Sequence, residues 1–451
     1  MKKIVSFLLC VIIFSFSAYA APEDEDVGAA EVGFSAVSPY VMFMDMNTGR
    51  VMYEKNADEK VYPASTVKIM TAILAIENCS LEEKIEASST AIDSVPSGVT
   101  VMDIMPGEAL TVRQLLYGAM LSSAADATNV LAEAVSGNIG DFVRLMNDKA
   151  TELGMNNTNF SNTHGEHDDR MYTTVRDMAA LARYAMSNPD FREIVNTDQY
   201  TIQPTDKYKE VRNLVNSNYM VSRVQRADYY YSNAIGVKSG YTTEAHSCLV
   251  EVAKSRDMEL LALTFGSETV DGKAQGYIDC RKFFDTAFEY YRSKVVVSQG
   301  TLVGQVPIKN AKRASQVLLE AQKNLYYIYP VGEEPGTPTY EIRVVEYIQA
   351  PISKGDIIGE CEYFYDGVSA GIIDLVADKD YSFDAIAYVG DGIKSVVTSP
   401  IFIGIVIIIV VAAVYIKIKR RKRRIARERK LRARRRREAE QNLRRRMEED
   451  I

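Results

Sequence analysis

Pro63-Ala64-Ser65-Thr66-Val67-Lys68 follows an extended stretch and opens an apolar run, Ile69-Met70-Thr71-Ala72-Ile73-Leu74. Pro and Ser ahead of such a run are helix-start signals. The spacing places Ser65 and Lys68 on one helical face, with Ser65 near the positive end of the helix dipole. A serine hydroxyl is a weak nucleophile until a neighbouring base takes its proton. A lysine amine becomes that base only where burial or a second cation lowers its pKa. The pair therefore makes chemical sense as nucleophile and base. Taken alone, S-x-x-K also describes a helix start with a solvated lysine, so the rest of the chain decides between the two.

Upstream, apolar residues 40–46 and 50–54 flank Asn47-Thr48-Gly49 and predict a strand, a turn and a strand. Downstream, residues 87–106 form a Ser/Val/Gly-rich connection. Apolar residues at three- and four-residue spacing predict helices over 110–134, 142–153 and 174–187. A polar, tyrosine-rich stretch leads to Ala234-Ile235-Gly236-Val237-Lys238-Ser239-Gly240-Tyr241, then two strand-like runs, 248–253 and 260–265, and a closing helix over 276–293. From Lys294 the texture changes to short strand-like runs at 302–307, 317–319, 326–329, 340–348 and 356–365, with Asp366-Gly367 as a hairpin signal. Residues 294–390 are expected to form a separate small β-domain.

The two ends of the 451-residue chain describe its cellular setting. Lys2 and Lys3, the apolar residues 4–16 and Ala18-Tyr19-Ala20 have the layout of a secretory signal peptide cleaved after Ala20. Residues 21–34 then read as an acidic linker. Residues 396–416 carry no charge over a length of about 31 Å as a helix, enough to cross a bilayer core of about 30 Å. Residues 417–451 hold 18 Lys/Arg against 6 Asp/Glu, so the formal charge of −7 averages a tail of +12 and a remainder of −19. The positive-inside rule makes that tail cytoplasmic and the bulk of the chain extracytoplasmic. A basic tail abutting a membrane span is accounted for by anionic lipid, and nucleic acid is not an expected partner. Its Glu/Arg spacing suits a helix along the inner leaflet. Beyond the signal peptide, Cys79, Cys248, Cys280 and Cys361 admit two bridges in three connectivities, or four thiols, and none has metal-site spacing.

Two further stretches give Ser65 and Lys68 a context: Leu121-Ser122-Ser123-Ala124-Ala125-Asp126-Ala127, within a predicted helix, and Lys238-Ser239-Gly240, within a strand. S-x-x-K, a serine-bearing S-x-N-type element and K-[ST]-G in this order form the signature of the penicillin-binding serine acyl transferases. "YPASTVKIMTA", "SVPSG", "PGEALTVRQLLYGAMLSSAADA", "ELGMNNTNFSNTHG", "MYTTVRDMAALARYA" and "IGVKSGYT" extend the likeness over residues 35–390. The chain resembles the low-molecular-weight penicillin-binding proteins that act as D-alanyl-D-alanine carboxypeptidases, serine peptidase family S11.

The resemblance implies an α+β catalytic domain over 35–293, serine transpeptidase/β-lactamase-like, with an antiparallel sheet flanked by helices and the site between the sheet edge and a helical lobe. The small β-rich domain, a C-terminal transmembrane helix and the tail would follow. It also implies roles. Ser65 attacks the penultimate D-alanine carbonyl of a peptidoglycan stem peptide, Lys68 takes its proton, and Ser123 relays a proton to the departing D-alanine. Lys238, with Ser239 and Gly240, binds the carboxylate side and holds Lys68 neutral by repulsion. The backbone N–H groups of Ser65 and Tyr241 form the oxyanion hole. No cofactor or metal is implied, and β-lactams are expected to acylate Ser65.

Three positions depart from the pattern. Ala125 stands where the S-x-N asparagine is expected, and Asn129, one turn further on, is the candidate to supply an amide instead. Ser239 replaces the commoner threonine. An arginine expected downstream, near the carboxylate site, has no assignable counterpart. Ala125 motivates a second reading, a catalytically weakened peptidoglycan-binding protein. A secreted β-lactamase sits poorly with the membrane span and the β-domain. His164 and His167 form an H-x-x-H that would suit zinc, but they fall in the family's N-x-H-G loop.

Overall fold

The computed structural model describes residues 35–449; the expected signal peptide and acidic linker lie outside the described residues. Contacts divide the chain into two units. One runs to Val297 and takes in residues 324–339 and 363–371; the other comprises 298–323, 340–362 and the chain from Ile372 onward.

The first unit is built on an antiparallel sheet. Its strands are β1 (Tyr40–Asp45), β2 (Val51–Lys55), β3 (Ala234–Thr242), β4 (His246–Ser255) and β5 (Met258–Ser267). Their order is β2-β1-β5-β4-β3. β5 lies at the centre and is buried almost throughout, as its largely apolar sequence MELLALTF requires of a strand covered on both faces. Side chains alternate between two cores: Met42, Met44, Leu261, Leu263 and Phe265 face a helical lobe. Val41, Phe43, Leu260 and Ala262 face a layer containing Phe283 and Phe284 of a long helix, Gln275–Tyr290. β3 is left at the edge of the sheet, and this places Lys238-Ser239-Gly240 on an open flank.

The helical lobe surrounds α1 (Lys68–Asn78), in which every residue from Lys68 to Ala75 is buried. Such a helix is a core element. Around it stand α2 (Val112–Met120), α3 (Ala125–Ser136), α4 (Ile139–Glu152) and α5 (Val175–Met186). α2 starts at a capping box, with Thr111 and Gln114 bonding each other's backbone N–H groups.

The expected helix over 110–134 is in fact two. A break at Leu121–Ala124 separates α2 from α3, and Ser123 has φ +60° there. The sequence hides the break because Leu116, Met120, Ala124 and Ala127 keep helical spacing across it and are all buried. Tertiary contacts hold it open. Ala124 N–H donates to Gly118 O at 3.0 Å and Ala125 N–H to Thr100 O at 2.8 Å. The buried Asp126 carboxylate accepts from the N–H groups of Met102, Ile104 and Ala127 at 2.9–3.1 Å. Gly118 admits this crossing segment, since a Cβ there would lie 2.3 Å from Met102 Sδ.

The closing helix ends at Tyr290 rather than residue 293, and Tyr291–Val297 is already a strand. Further on, a six-stranded sheet includes Leu302–Lys309, Gln316–Ala321, Thr339–Val344, Ile348–Gln349 and Ile357–Tyr365. Its sixth strand, Val368–Ala377, is the second arm of the hairpin that Asp366-Gly367 signals. The hairpin at Asp366-Gly367 has φ +51° and +83°, the two positive values a tight I′ turn requires. All four described cysteines are thiols.

Two helices follow, Ala385–Thr398 and Pro400–Glu449. The apolar segment expected over 396–416 is therefore interrupted at Ser399, with Pro400 in the first helical position where its missing N–H costs nothing. The second helix is long and apolar enough to cross a membrane. Its apolar and basic parts are one continuous 50-residue helix, so the basic segment is not a separate element with its own direction.

The segment that holds the helix break is tied in turn by a buried ion pair. Arg212 donates to both Glu108 oxygens at 2.8 and 2.9 Å and to the carbonyls of Met102 and Asp103 at 2.7 and 2.9 Å. Glu108 also accepts from Thr205 Oγ1 at 2.7 Å. Glu108→Ala would leave the guanidinium buried and unpaired. The expected loss is about 3–5 kcal/mol of unfolding free energy, measured by urea denaturation.

Candidate active site

Ser65 is not in α1 itself but in the 3-10 turn Ala64–Val67 that precedes it, and Lys68 is the helix's first residue. The turn brings Ser65 Oγ to 3.0 Å from Lys68 Nζ. Lys68 is 2% exposed, and its Nζ also donates to the His164 carbonyl at 2.5 Å. Burial first, and the charge of Lys238 second, hold its pKa well below the ordinary lysine value. The expected repulsion from Lys238 is thus present, but desolvation is the larger cause.

Ser123 owes its place to the helix break. Its backbone turns out of the helical path, and its side chain lines both cavities that meet at Ser65. The larger cavity, of about 660 Å³, is also lined by Ser217, Ser239, Gly240 and Tyr241. The smaller, of about 150 Å³, is lined by Lys68, Ala125, His164 and Glu166.

Lys238 is 1% exposed and stands behind the wall of the larger cavity. Its Nζ donates to Ser217 Oγ at 3.3 Å and to Ser239 O at 2.9 Å, while Ser239 Oγ donates to Ser217 O at 3.2 Å. Burial pushes its pKa down to about 7. Ser217, which sequence reasoning missed, is held to the helix break by its own N–H, donating to Leu121 O at 2.8 Å. It lies in a polar Asn216-Ser217-Asn218 stretch with no motif to mark it.

Two glycines let backbone close on the nucleophile from opposite elements. A Cβ on Gly240 would lie 2.6 Å from Ser65 N; on Gly165, at φ +86°, it would lie 1.9 Å from Ala64 O. Only a residue without a side chain fits at either position.

Ser65, Lys68, Ser123, Lys238, Ser239, Gly240 and Tyr241 therefore converge, whereas Asn129 does not join them. It is 2% exposed, its Nδ2 donates to Ala91 O at 3.1 Å, and its Oδ1 accepts from Thr163 Oγ1 at 2.7 Å. Both ends of the amide are committed, so it does not stand in for the missing asparagine. The Ala125 methyl faces the smaller cavity in that role's place. Among the described residues lining the larger cavity there is no arginine, and Glu268 is one of them. His164 Nδ1 accepts from Glu166 N–H at 3.2 Å, and His167 Nε2 pairs with Asp169 at 3.1 Å. Of the tyrosines between 208 and 231, Tyr219 lines the cavity; Tyr208 stacks on Arg212, and Tyr231 on Phe284.

Comparison with known proteins bears on this arrangement. The family described as D-alanyl-D-alanine carboxypeptidase matches residues 29–269, and the C-terminal domain of penicillin-binding protein 5 matches residues 291–382. The D-alanyl-D-alanine carboxypeptidase DacF of Bacillus subtilis is 30% identical over 387 residues, 84% of this chain and 95% of that protein. A Streptomyces D-alanyl-D-alanine carboxypeptidase is 34% identical over 53% of this chain and 83% of its own length. The crystal structure of penicillin-binding protein 5 from Haemophilus influenzae shares the fold, with a TM-score of 0.61 and 24% identity over 77% of this chain and 98% of that one. None of these relatives lends support to a weakened, binding-only protein. The chain belongs to the D-alanyl-D-alanine carboxypeptidase family, the S11 serine peptidases among the low-molecular-weight penicillin-binding proteins.

Proposed function

We propose that this serine D,D-carboxypeptidase removes the terminal D-alanine of peptidoglycan stem peptides through an acyl-enzyme on Ser65. The observation that carries the assignment is the 3.0 Å approach of Ser65 Oγ to a fully buried Lys68 amine. A neutral amine in that position accepts the hydroxyl proton as Oγ attacks the penultimate carbonyl. Ser123, at the junction of the two cavities, relays the proton to the departing D-alanine nitrogen.

The edge position of β3 supports the recognition step. An edge strand has backbone groups unpaired on its outer side, to which an extended peptide can add. The N–H groups of Ser65 and Tyr241 then meet the charge that develops on the attacked carbonyl oxygen. Ser239 and Ser217 take the terminal carboxylate, with the Lys238 charge behind them. β-Lactams are acylating inhibitors in the same geometry. The chain acts outside the cytoplasmic membrane: residues 1–20 export it, the helix from Pro400 anchors it, and the basic segment lies on the cytoplasmic side.

Ser65→Ala is expected to abolish both D-alanine release from a pentapeptide and labelling by fluorescent penicillin, with the melting temperature retained. Retained D-alanine release would refute the assignment. Gly240→Ala pushes the strand off the nucleophile turn, and a displacement of this size should slow acylation by about 10²-fold. Stopped-flow penicillin binding reads that rate. Lys238 is protonated below about pH 7 and neutral above it. Accordingly kcat/KM for the pentapeptide should fall as pH rises through 7, because the carboxylate loses its cation. A C-terminally amidated analogue should lack that alkaline limb.

A further inference from the structure

We propose that Glu166 is a further catalytic residue, the general base that activates the water which releases the acyl group from Ser65. The proposal rests on the Ser65 acyl-enzyme put forward above.

Glu166 is fixed beside the nucleophile by its loop. Asn162 Oδ1 accepts from the N–H groups of His164 and Gly165 at 3.3 and 2.7 Å, and Asn162 Nδ2 donates to Glu166 O at 2.8 Å. Gly165 presses the loop onto the Ala64 carbonyl and Ser65 nitrogen. The His164 carbonyl is held by Lys68. The Glu166 side chain then lines the same 150 Å³ cavity as Ser65, Lys68, Ser123 and Ala125. That cavity has room for a few waters. Part of its wall is the Ala125 methyl, where an asparagine side chain would reach further.

Among the described residues lining this cavity, Glu166 brings the one carboxylate. Lys68 Nζ donates to Ser65 Oγ and the His164 carbonyl, and in the proposed step it carries the proton back to Oγ. His164 Nδ1 accepts from Glu166 N–H, which puts the ring proton on Nε2 and leaves a donor. Burial lowers its pKa to about 4, so the ring is neutral. The Asp126 carboxylate is taken up by backbone N–H groups. Tyr241 brings a phenol, and Lys238 lies behind Ser217 and Ser239. The Glu166 carboxylate has no side-chain hydrogen bond among the described residues, which leaves its oxygens open to a water in this cavity.

The step balances with water as the only co-reactant. Water oxygen bonds to the acyl carbon while one water proton passes to the Glu166 carboxylate. The tetrahedral oxyanion collapses and breaks the carbon–Oγ bond. The neutral Lys68 amine takes the proton from the Glu166 carboxyl and passes it to Ser65 Oγ. The acid formed then ionises to solvent. The same step clears a β-lactam acyl group, so the enzyme would recover from penicillin by its own hydrolysis.

Glu166→Gln keeps the shape and removes the base. The test follows acylation by fluorescent penicillin in stopped flow and then the decay of the labelled enzyme, with D-alanine release measured alongside. Acylation is expected to stay within about twofold, whereas the label should persist about 10²-fold longer, the usual contribution of a general base. Glu166→Asp, a base with shorter reach, should give an intermediate lifetime, and Ala125→Asn should lengthen it by filling the water site. An unchanged lifetime in Glu166→Gln would overturn the proposal, as would acylation slowed in step with deacylation, since Glu166 would then act only through the charge on Lys68. Absence of any label on the wild type would instead sink the Ser65 acyl-enzyme on which this rests.

Discussion

A buried lysine amine, three angstroms from a serine hydroxyl, is the constraint around which the catalytic unit is organised. Burying an ammonium without a partner costs several kcal/mol, and the inexpensive alternative is to lose the proton. α1 enforces this: it is buried from Lys68 to Ala75, and Lys68 is only 2% exposed. The remaining polar need of the amine is met by Ser65 Oγ and one backbone carbonyl, neither of which carries a charge that would restore the ammonium. Glu166 and Asp126 pull in the opposite direction through charge, but burial and Lys238 prevail.

The other site groups reach this pair from three separate parts of the unit, each by a specific local device. The edge strand β3 arrives because Gly240 carries no side chain, and the 162–166 loop arrives because Gly165 does not. Ser123 arrives through a helix interruption that Asp126 maintains, and the segment bonded to Asp126 is anchored by the Arg212–Glu108 pair. Ser217 joins the break to Lys238. A disturbance anywhere along this chain of contacts moves Ser123 relative to Ser65 without touching either residue.

Much of this was legible in the sequence, and the reasons for the rest are local. The strands β1, β2, β4 and β5 and the helices α4 and α5 announce themselves by apolar periodicity, because each buries one face or two. S-x-x-K and K-S-G stand out because chemistry restricts their residue types. The break between α2 and α3 did not show, since a buried helix and a buried kink place apolar residues at the same spacing. Ser217 and Glu166 carry no pattern, because only the fold brings them to the cavity. Asn129 was misjudged from helical spacing: one turn beyond Ala125 lies on the same face, yet that face turns inward toward Ala91 and Thr163.

The two lysines also couple recognition to reactivity in the proposed reaction. Lys238 is the cation behind the carboxylate pocket and, through its charge, one of the causes that lower the Lys68 pKa. An incoming carboxylate offsets part of that charge. It therefore favours the protonated form of Lys238 while weakening the repulsion on Lys68, which makes the latter a stronger base once substrate is seated. Without an arginine among the described lining residues, and with Glu268 among them, this effect is not diluted by a permanent cation. A substrate lacking the carboxylate would meet a weaker base as well as a poorer fit. In the proposed reaction, selectivity for a free C-terminus thus arises from the same buried charge that prepares the nucleophile.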